Sequence, residues 1–333
     1  LMRDFVSEEK LKLLFEKYYR STDIDPPALI TKREVGFMTF EGEIIRHMHL
    51  SNKFELNNML RTTVPRHVYS SAAYYKKPDE KKMPEKIWEG ADLIFDLDSD
   101  HLPGAEKMTY EEMLNSIKEQ TKRLVNKFLV SDLGISEKDI RIYFSGSRGY
   151  HVHVSSEDVY PLGSDARREI TDYVSGNSLS ISVIDKALKT GEKRPGGWIK
   201  DVISKLYELG INAEKISQKQ IERAIDQVKS HNATMVDAPV TYDIHRLIRM
   251  PQSLHGKSGM MVKEVDLDKF DDFDPLSDAI PKIFLEGDYD INVHEKTRKL
   301  RLLDYKIDLP PGRNRVPQYV AIFLVSSGRA DFL

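Results

Sequence analysis

Apolar and polar positions along the chain change period several times, and each change marks an element. Over residues 7–20 apolar side chains recur at helical spacing behind Ser7 as N-cap and the pair Glu8-Glu9, which predicts an amphipathic helix ending before Asp25-Pro26-Pro27. Alternating runs at 35–40 and 43–48 predict a hairpin that turns at Phe40-Glu41-Gly42-Glu43, and a short helix is expected over 52–61. Alternation returns at 91–98, with Leu93, Phe95 and Leu97 on one face and Asp96 and Asp98 together on the other. Thr109 and Glu112 have the spacing of a capping box and open a helix expected to run to Val130. Residues 140–144 and 150–154 read as a second hairpin, joined by Ser145-Gly146-Ser147-Arg148-Gly149.

From 156 to 234 strand signals fade and helical patterns recur at 163–174, 181–188, 197–209 and 217–230. This stretch is expected to form a helical insertion subdomain in a core made of 1–155 and 235–333. A short helix is expected to carry Arg246 and Arg249, three apart and so on one face, until Pro251 stops it. A last helix is expected over 316–326, and the acidic segment 266–274 reads as a solvated loop.

Composition narrows the class. A chain of 333 residues with 40% hydrophobic and 31% charged positions can bury a substantial core, and no apolar run is long enough to span a bilayer. Residues 1–10 carry acids and no apolar stretch, which argues against a signal peptide. Cys is absent, which excludes disulfides and thiolate metal sites and fits an intracellular chain. A net charge of −3 argues against coating nucleic acid by bulk positive charge, but leaves room for a local basic groove.

Three constellations could carry chemistry. Asp96 and Asp98 repel each other unless a cation sits between them, so the strand end is a candidate Mg²⁺ or Mn²⁺ site; the plainer alternative is a solvated strand end. In the segment 145–154 the glycines bring backbone N–H groups close to a ligand, Ser145 adds a hydroxyl, and Arg148 offers a forked cation suited to phosphate oxygens. His151 and His153 share one face of the return strand, but zinc is a weak reading there and at His47 and His49, because four-ligand thiolate sites are impossible in this chain. The third constellation runs from Asp237 through Arg246 and Arg249 to His255-Gly256-Lys257-Ser258. Its Gly-Lys-Ser is not a Walker A loop, since Pro251 stands where that motif needs glycine. Together, acids for metal and cations for a triphosphate are the chemistry of nucleotidyl transfer.

These motifs, in this order, resemble the small, catalytic subunit of archaeal and eukaryotic DNA primase. The matching residues are Asp96-Leu97-Asp98, the run from Ser145 to His151, and Asp237-Ala238-Pro239-Val240-Thr241 leading to His255-Gly256-Lys257-Ser258-Gly259, with Arg33-Glu34-Val35-Gly36-Phe37, Arg46 and Val316-Pro317-Gln318-Tyr319 in support. The resemblance implies a mixed α/β (α+β) catalytic core with the helical insertion. It implies Asp96, Asp98 and Asp237 as catalytic, metal-binding acids, Asp243 being the competing third acid. It implies Ser145, Arg148, His151, Arg249 and His255, with Arg46, as nucleotide-binding residues; Ser147 stands where some relatives carry another Arg. Expected partners are a primase large subunit in a heterodimer, a single-stranded DNA template and nucleoside triphosphates, with no membrane and, for an archaeal chain, a cytoplasmic, nucleoid-associated location. The family's Cys/His zinc knuckle has no counterpart here, so no structural zinc is expected. The implied reaction is primer synthesis under Mg²⁺ or Mn²⁺. Alternatives are a repair or translesion polymerase of the same fold that extends without initiating, a metal-dependent nuclease, and an inactive nucleic-acid-binding subunit.

Overall fold

Two four-stranded antiparallel sheets position the candidate residues. The chain is described by a computed structural model that covers residues 5–190, 196–210, 216–297 and 299–333. In the first sheet the hairpin Val35–Met38 and Ile44–Met48 is extended by His67–Ser71 and then by Leu247–Arg249. In the second, Leu93–Asp98 lies at one edge beside Gly149–Val154, followed by Ile140–Phe144 and Lys263–Val265. Alternation works as the sequence predicts: Leu93, Phe95, Leu97, Val152, Val154, Ile142 and Phe144 are buried on one face, leaving the other for polar work. The two sheets meet along a small apolar cluster of Ala72, Ile94, Val240 and Ile248.

Helix boundaries follow local chemistry where a cap is present. Asn52 accepts the Glu55 N–H at 3.0 Å and starts the helix Lys53–Thr63. Both halves of the Thr109/Glu112 box are formed, and the helix Tyr110–Arg123 continues into a π-helical stretch, Leu124–Asp132. Ser7 is not an N-cap: the first helix spans Phe5–Ser21, and the buried Ser7 hydroxyl accepts the Phe332 N–H at 2.8 Å, joining the first helix to the last strand.

Two other expectations are corrected. Residues 247–249 form a strand, not a helix, because Ile248 is buried between the sheets while Leu247 and Arg249 are half-buried, and the open edge of His67–Ser71 satisfies their backbone. The last helix begins at Gln318, since Val316 and Pro317 finish the strand Gly312–Pro317. The acidic segment is a surface loop as expected, with Asp266, Asp268, Asp271 and Asp272 exposed, and it is anchored from within: Phe270 and Phe273 pack on Tyr150, and Lys118 donates to the carbonyls of Asp271 and Phe273 at 2.7 and 2.8 Å.

Between the two hairpin motifs and Asp237, the helices Ser164–Val174, Ile181–Thr190, Gly197–Glu208 and Gln218–Asn232 occupy the stretch read as helical. Arg167, 1% exposed, pins the first of them to the start of the aspartate strand by donating to the carbonyls of Asp92 at 2.6 Å and Ala91 at 2.8 Å. Among the described residues no helix is long and apolar enough to cross a membrane.

Candidate active site

The aspartate strand and the histidine strand fix the floor of the site by their register. Asp96 lies opposite His151 and Asp98 opposite Gly149. A Cβ at position 149 would stand 2.0 Å from the Leu97 carbonyl oxygen, so only glycine permits this crossing. The turn closes with Ser145 N–H donating to Gly149 O at 2.9 Å. Gly146 adopts φ +84°, and its missing side chain leaves room for His255, whose Cβ is 2.7 Å from the ideal Cβ position. Tyr110 donates to the Ser147 carbonyl and Ser258 to that of Gly146, each at 2.5 Å, so the turn is held from two sides.

The third acid arrives from another part of the chain. The Asp237 N–H donates to the Asp96 carbonyl at 2.8 Å, and Asp237 precedes the short helix Ala238–Tyr242 without spending its carboxylate on a capping bond. Asp96 is driven up to about 7, first by burial and then by the charges of Asp98 and Asp237, with Arg249 opposing. Asp243 is exposed and its carboxylate accepts the His245 N–H at 3.0 Å. This crowded, oxygen-only donor set fits a hard divalent cation. Among the described residues no three such side chains are already drawn to one metal-binding point; instead Arg148 contacts Asp100 at 2.6 Å and approaches Asp98 at 3.8 Å.

A pH dependence follows. A carboxyl whose folded pKa lies above its unfolded value supports folding while protonated; that support is full below 3.8 and is lost as pH rises through about 7. In chelator-containing buffer, Asp96→Asn should therefore gain stability relative to wild type as pH rises across that window, read as the urea midpoint. Mg²⁺ at pH 8 should stabilise wild type more than the variant. Parallel pH profiles for the two proteins would contradict the assignment.

Beside the acids a cleft of ≈ 420 Å³ is lined by Asp98, Ser145, Ser147, Arg148, Arg249 and His255. Strand pairing with Tyr69 carries Arg249 to this wall, while Arg246, just before the strand, is exposed and is not part of the lining. The Arg249 Nε is buried with no hydrogen-bond partner, a donor left over for a ligand. His255 Nδ1 accepts the Lys257 N–H at 3.2 Å, so the neutral ring carries its proton on Nε2. Burial, Arg249 and the neighbouring His67 hold His255 well below the ordinary histidine range. His151 lies beneath the cleft, 1% exposed, its Nε2 3.7 Å from Asp96; burial keeps it neutral, and its Nδ1 has no partner.

Arg46 is not brought to the cleft. It stands on the edge strand, and its guanidinium grips the buried Glu34 at 2.9 and 3.4 Å. Tyr110, Lys257 and Arg329 line the cleft without having been singled out as site residues. Lys257 had a signal in its place within the His-Gly-Lys run; Tyr110 and Arg329 had none, being delivered by tertiary packing.

The family model described as DNA primase small subunit matches residues 95–267. The DNA primase small subunit of Thermoplasma acidophilum is 54% identical over 319 residues, covering 96% of this chain and 99% of its own. The Picrophilus torridus small subunit is 39% identical over 370 residues, covering 98% and 99%, and that of Archaeoglobus fulgidus 39% over 339 residues, covering 97% and 98%. Among solved structures, the polymerase domain of Mycobacterium tuberculosis ligase D in complex with DNA aligns over 79% of this chain and 83% of its own, with 14% identity and a TM-score of 0.44. The chain belongs to the DNA primase small-subunit family.

Proposed function

We propose that this chain is the catalytic subunit of a primase, a template-directed nucleotidyltransferase that synthesises short primers on single-stranded DNA from nucleoside triphosphates. The observation that carries the reading is the placement of Asp98, beside Asp96 and Asp237, on the wall of the same cleft as Arg148, Arg249 and His255. The three acids would hold Mg²⁺ or Mn²⁺, which when bound supplies positive charge to the attacking oxygen and the leaving group.

The protein's own groups divide the remaining work. Arg249 and Arg148 meet phosphate oxygens, and the Arg249 Nε is already desolvated, so binding costs that donor no further loss of water. Neutral His255 donates from Nε2 to a phosphate oxygen without repelling the adjacent arginines. Neutral His151 supports the Asp96 carboxylate from below. Arg148, released from Asp100, turns to the triphosphate, and pyrophosphate leaves along the same cationic wall. A large subunit is the proposed partner, in a cytoplasmic, nucleoid-associated assembly, and no structural zinc is proposed because the chain contains no Cys.

De novo primer synthesis on a single-stranded template with Mg²⁺ or Mn²⁺ is the test; extension of supplied primers without initiation would assign the chain to lesion bypass or repair instead. Arg249→Ala should raise KM for nucleotide about tenfold or more while lowering kcat less, as expected for a charge-assisted contact to bound phosphate. An unchanged KM would remove Arg249 from the nucleotide site.

A further inference from the structure

Two exposed arginines, Arg246 and Arg168, are left unused by the nucleotide cleft. The fold delivers both to the start of the aspartate strand, whereas the cleft lies at its close, where Asp98 stands in the wall. Arg167 donates to the carbonyls of Ala91 and Asp92, which ties the helix Ser164–Val174, and with it Arg168, to the strand start. The Asp92 N–H donates to the Ala72 carbonyl at 3.0 Å, and the Ala72 N–H to the Arg246 carbonyl at 2.8 Å. Between these points the short helix Ala238–Tyr242 runs back along the strand: the Asp237 N–H meets Asp96, and Val240 shares an apolar cluster with Ile94. Tyr242, at its end, carries the Arg168 guanidinium over its ring, 4.3 Å from the centroid.

The turn beneath Arg246 is held from several sides. Its N–H donates to the Asp243 carbonyl at 3.1 Å, the His245 N–H donates to the Asp243 carboxylate at 3.0 Å, and His245 Nδ1 bonds the hydroxyl of buried Tyr75 at 3.0 Å. Among the described residues neither the Arg246 nor the Arg168 guanidinium is paired with a carboxylate. The six strand residues span roughly 20 Å, so the acids stand between two cationic regions, the cleft beyond Asp98 and the arginines at the strand start. The charge of Arg246 reaches Asp96 from that second side.

In nucleotidyl transfer the attacking hydroxyl and the leaving pyrophosphate lie in line, on opposite sides of the reacting phosphorus. With the leaving group held beyond Asp98, the strand that templates the attacking nucleotide has to approach from the other side of the acids. A single strand offers phosphodiester charge and flat base faces. An exposed guanidinium on a rigid turn suits the first, and a planar guanidinium backed by an aromatic ring suits the second. We propose that Arg246 and Arg168 bind the single-stranded template, Arg246 through a phosphodiester oxygen and Arg168, on its Tyr242 support, by stacking on a base. This rests on the reading of the chain as a template-directed nucleotidyltransferase.

The test measures binding of a fluorescent oligodeoxythymidylate to the full chain over a salt series, for wild type and for Arg246 and Arg168 each changed to Ala and to Lys, with primer-synthesis kinetics beside it. Arg246→Ala should weaken DNA binding about fivefold or more and flatten the slope of log affinity against log salt by ~0.7, the value for one phosphate contact on a single strand, and Arg246→Lys should keep the slope. Arg168→Ala should weaken binding about fivefold or more, and Arg168→Lys should not restore it, because an ammonium does not stack. Both Ala variants should raise KM for template and leave KM for nucleotide at saturating template unchanged. Unchanged DNA binding in both overturns the proposal, as does a rise in KM for nucleotide without one for template. A change confined to the Mg²⁺ requirement of Arg246→Ala also overturns it, since Arg246 would then serve the acids alone. Losses of DNA binding as expected, in a chain whose wild type makes no primer, keep the strand-binding surface and remove the catalytic reading.

Discussion

Asp96→Asn and Asp98→Asn are each expected to lower primer synthesis on the order of 10³-fold, the scale on which loss of one preorganised electrostatic group is felt in a closed site. Asn keeps the shape of Asp and removes its charge, so the effect reports metal holding rather than packing. Asp96 is already pressed toward neutrality, to about 7, by burial and by Asp98 and Asp237; the fold tolerates this pressure where a cation can relieve it. The variants should therefore fold at least as well as wild type in metal-free buffer while failing to synthesise at saturating nucleotide. Asp237→Asn should behave like the other two, because its backbone is bonded to Asp96 at 2.8 Å. Asp243→Asn should leave synthesis largely intact, since its carboxylate is engaged with the His245 N–H. The measurement is primer synthesis on a single-stranded template with Mg²⁺ or Mn²⁺, with the urea midpoint as a control. Near-normal synthesis by Asp96→Asn or Asp98→Asn would refute the metal-ligand role, and a large loss in Asp243→Asn alone would move the third acid there.

The parts of this site that were legible in sequence rest on local physics. Alternation through residues 93–98 places both acids on one face whatever the rest of the chain does, and the Thr109/Glu112 box closes within a single turn. The Ser145–Gly149 turn needs glycine at 146 and 149 for reasons of backbone geometry and close approach, and glycine is what the sequence shows. The helical reading of Arg246 and Arg249 fails because two arginines three apart are too few to fix a period, and the deciding fact, burial of Ile248 against Ala72, Ile94 and Val240, is tertiary. Arg46 is drawn to Glu34, a buried carboxylate beside which the hairpin register places it. Arg329 reaches the cleft only because the last helix and the last strand meet there, a juxtaposition that leaves no local mark.

Arg33→Ala is expected to destabilise the protein by ~3–5 kcal/mol, the scale for breaking one side of a buried ion pair. Arg33 and Asp92 are in contact at 2.6 Å with side chains 6% and 2% exposed, and each is almost fully used. Arg33 also donates to Ala28 O at 2.8 Å, to Ser71 O at 2.7 Å and to the Tyr74 hydroxyl at 2.8 Å. Asp92 accepts in addition from Tyr74 at 2.6 Å and Ser155 at 2.8 Å. The pair bridges the two sheets, since Arg33 precedes the first strand of one and Asp92 precedes the aspartate strand of the other. Arg33→Ala would leave a buried carboxylate with two neutral donors and would take the guanidinium from the Ala28 and Ser71 carbonyls; Asp92→Ala leaves a buried cation still bonded to carbonyls, and should cost somewhat less. Removing both, as Arg33→Met with Asp92→Leu, should cost less than the sum of the single changes, because neither charge is then left alone. Urea unfolding with unchanged m-values measures all of this, and additivity of the two single variants would show that the contact carries no coupling. Asp92 thus differs from Asp96 and Asp98 through its partners: a carboxylate met by a buried guanidinium and two hydroxyls holds sheets together, whereas one met by two other carboxylates is left for a cation.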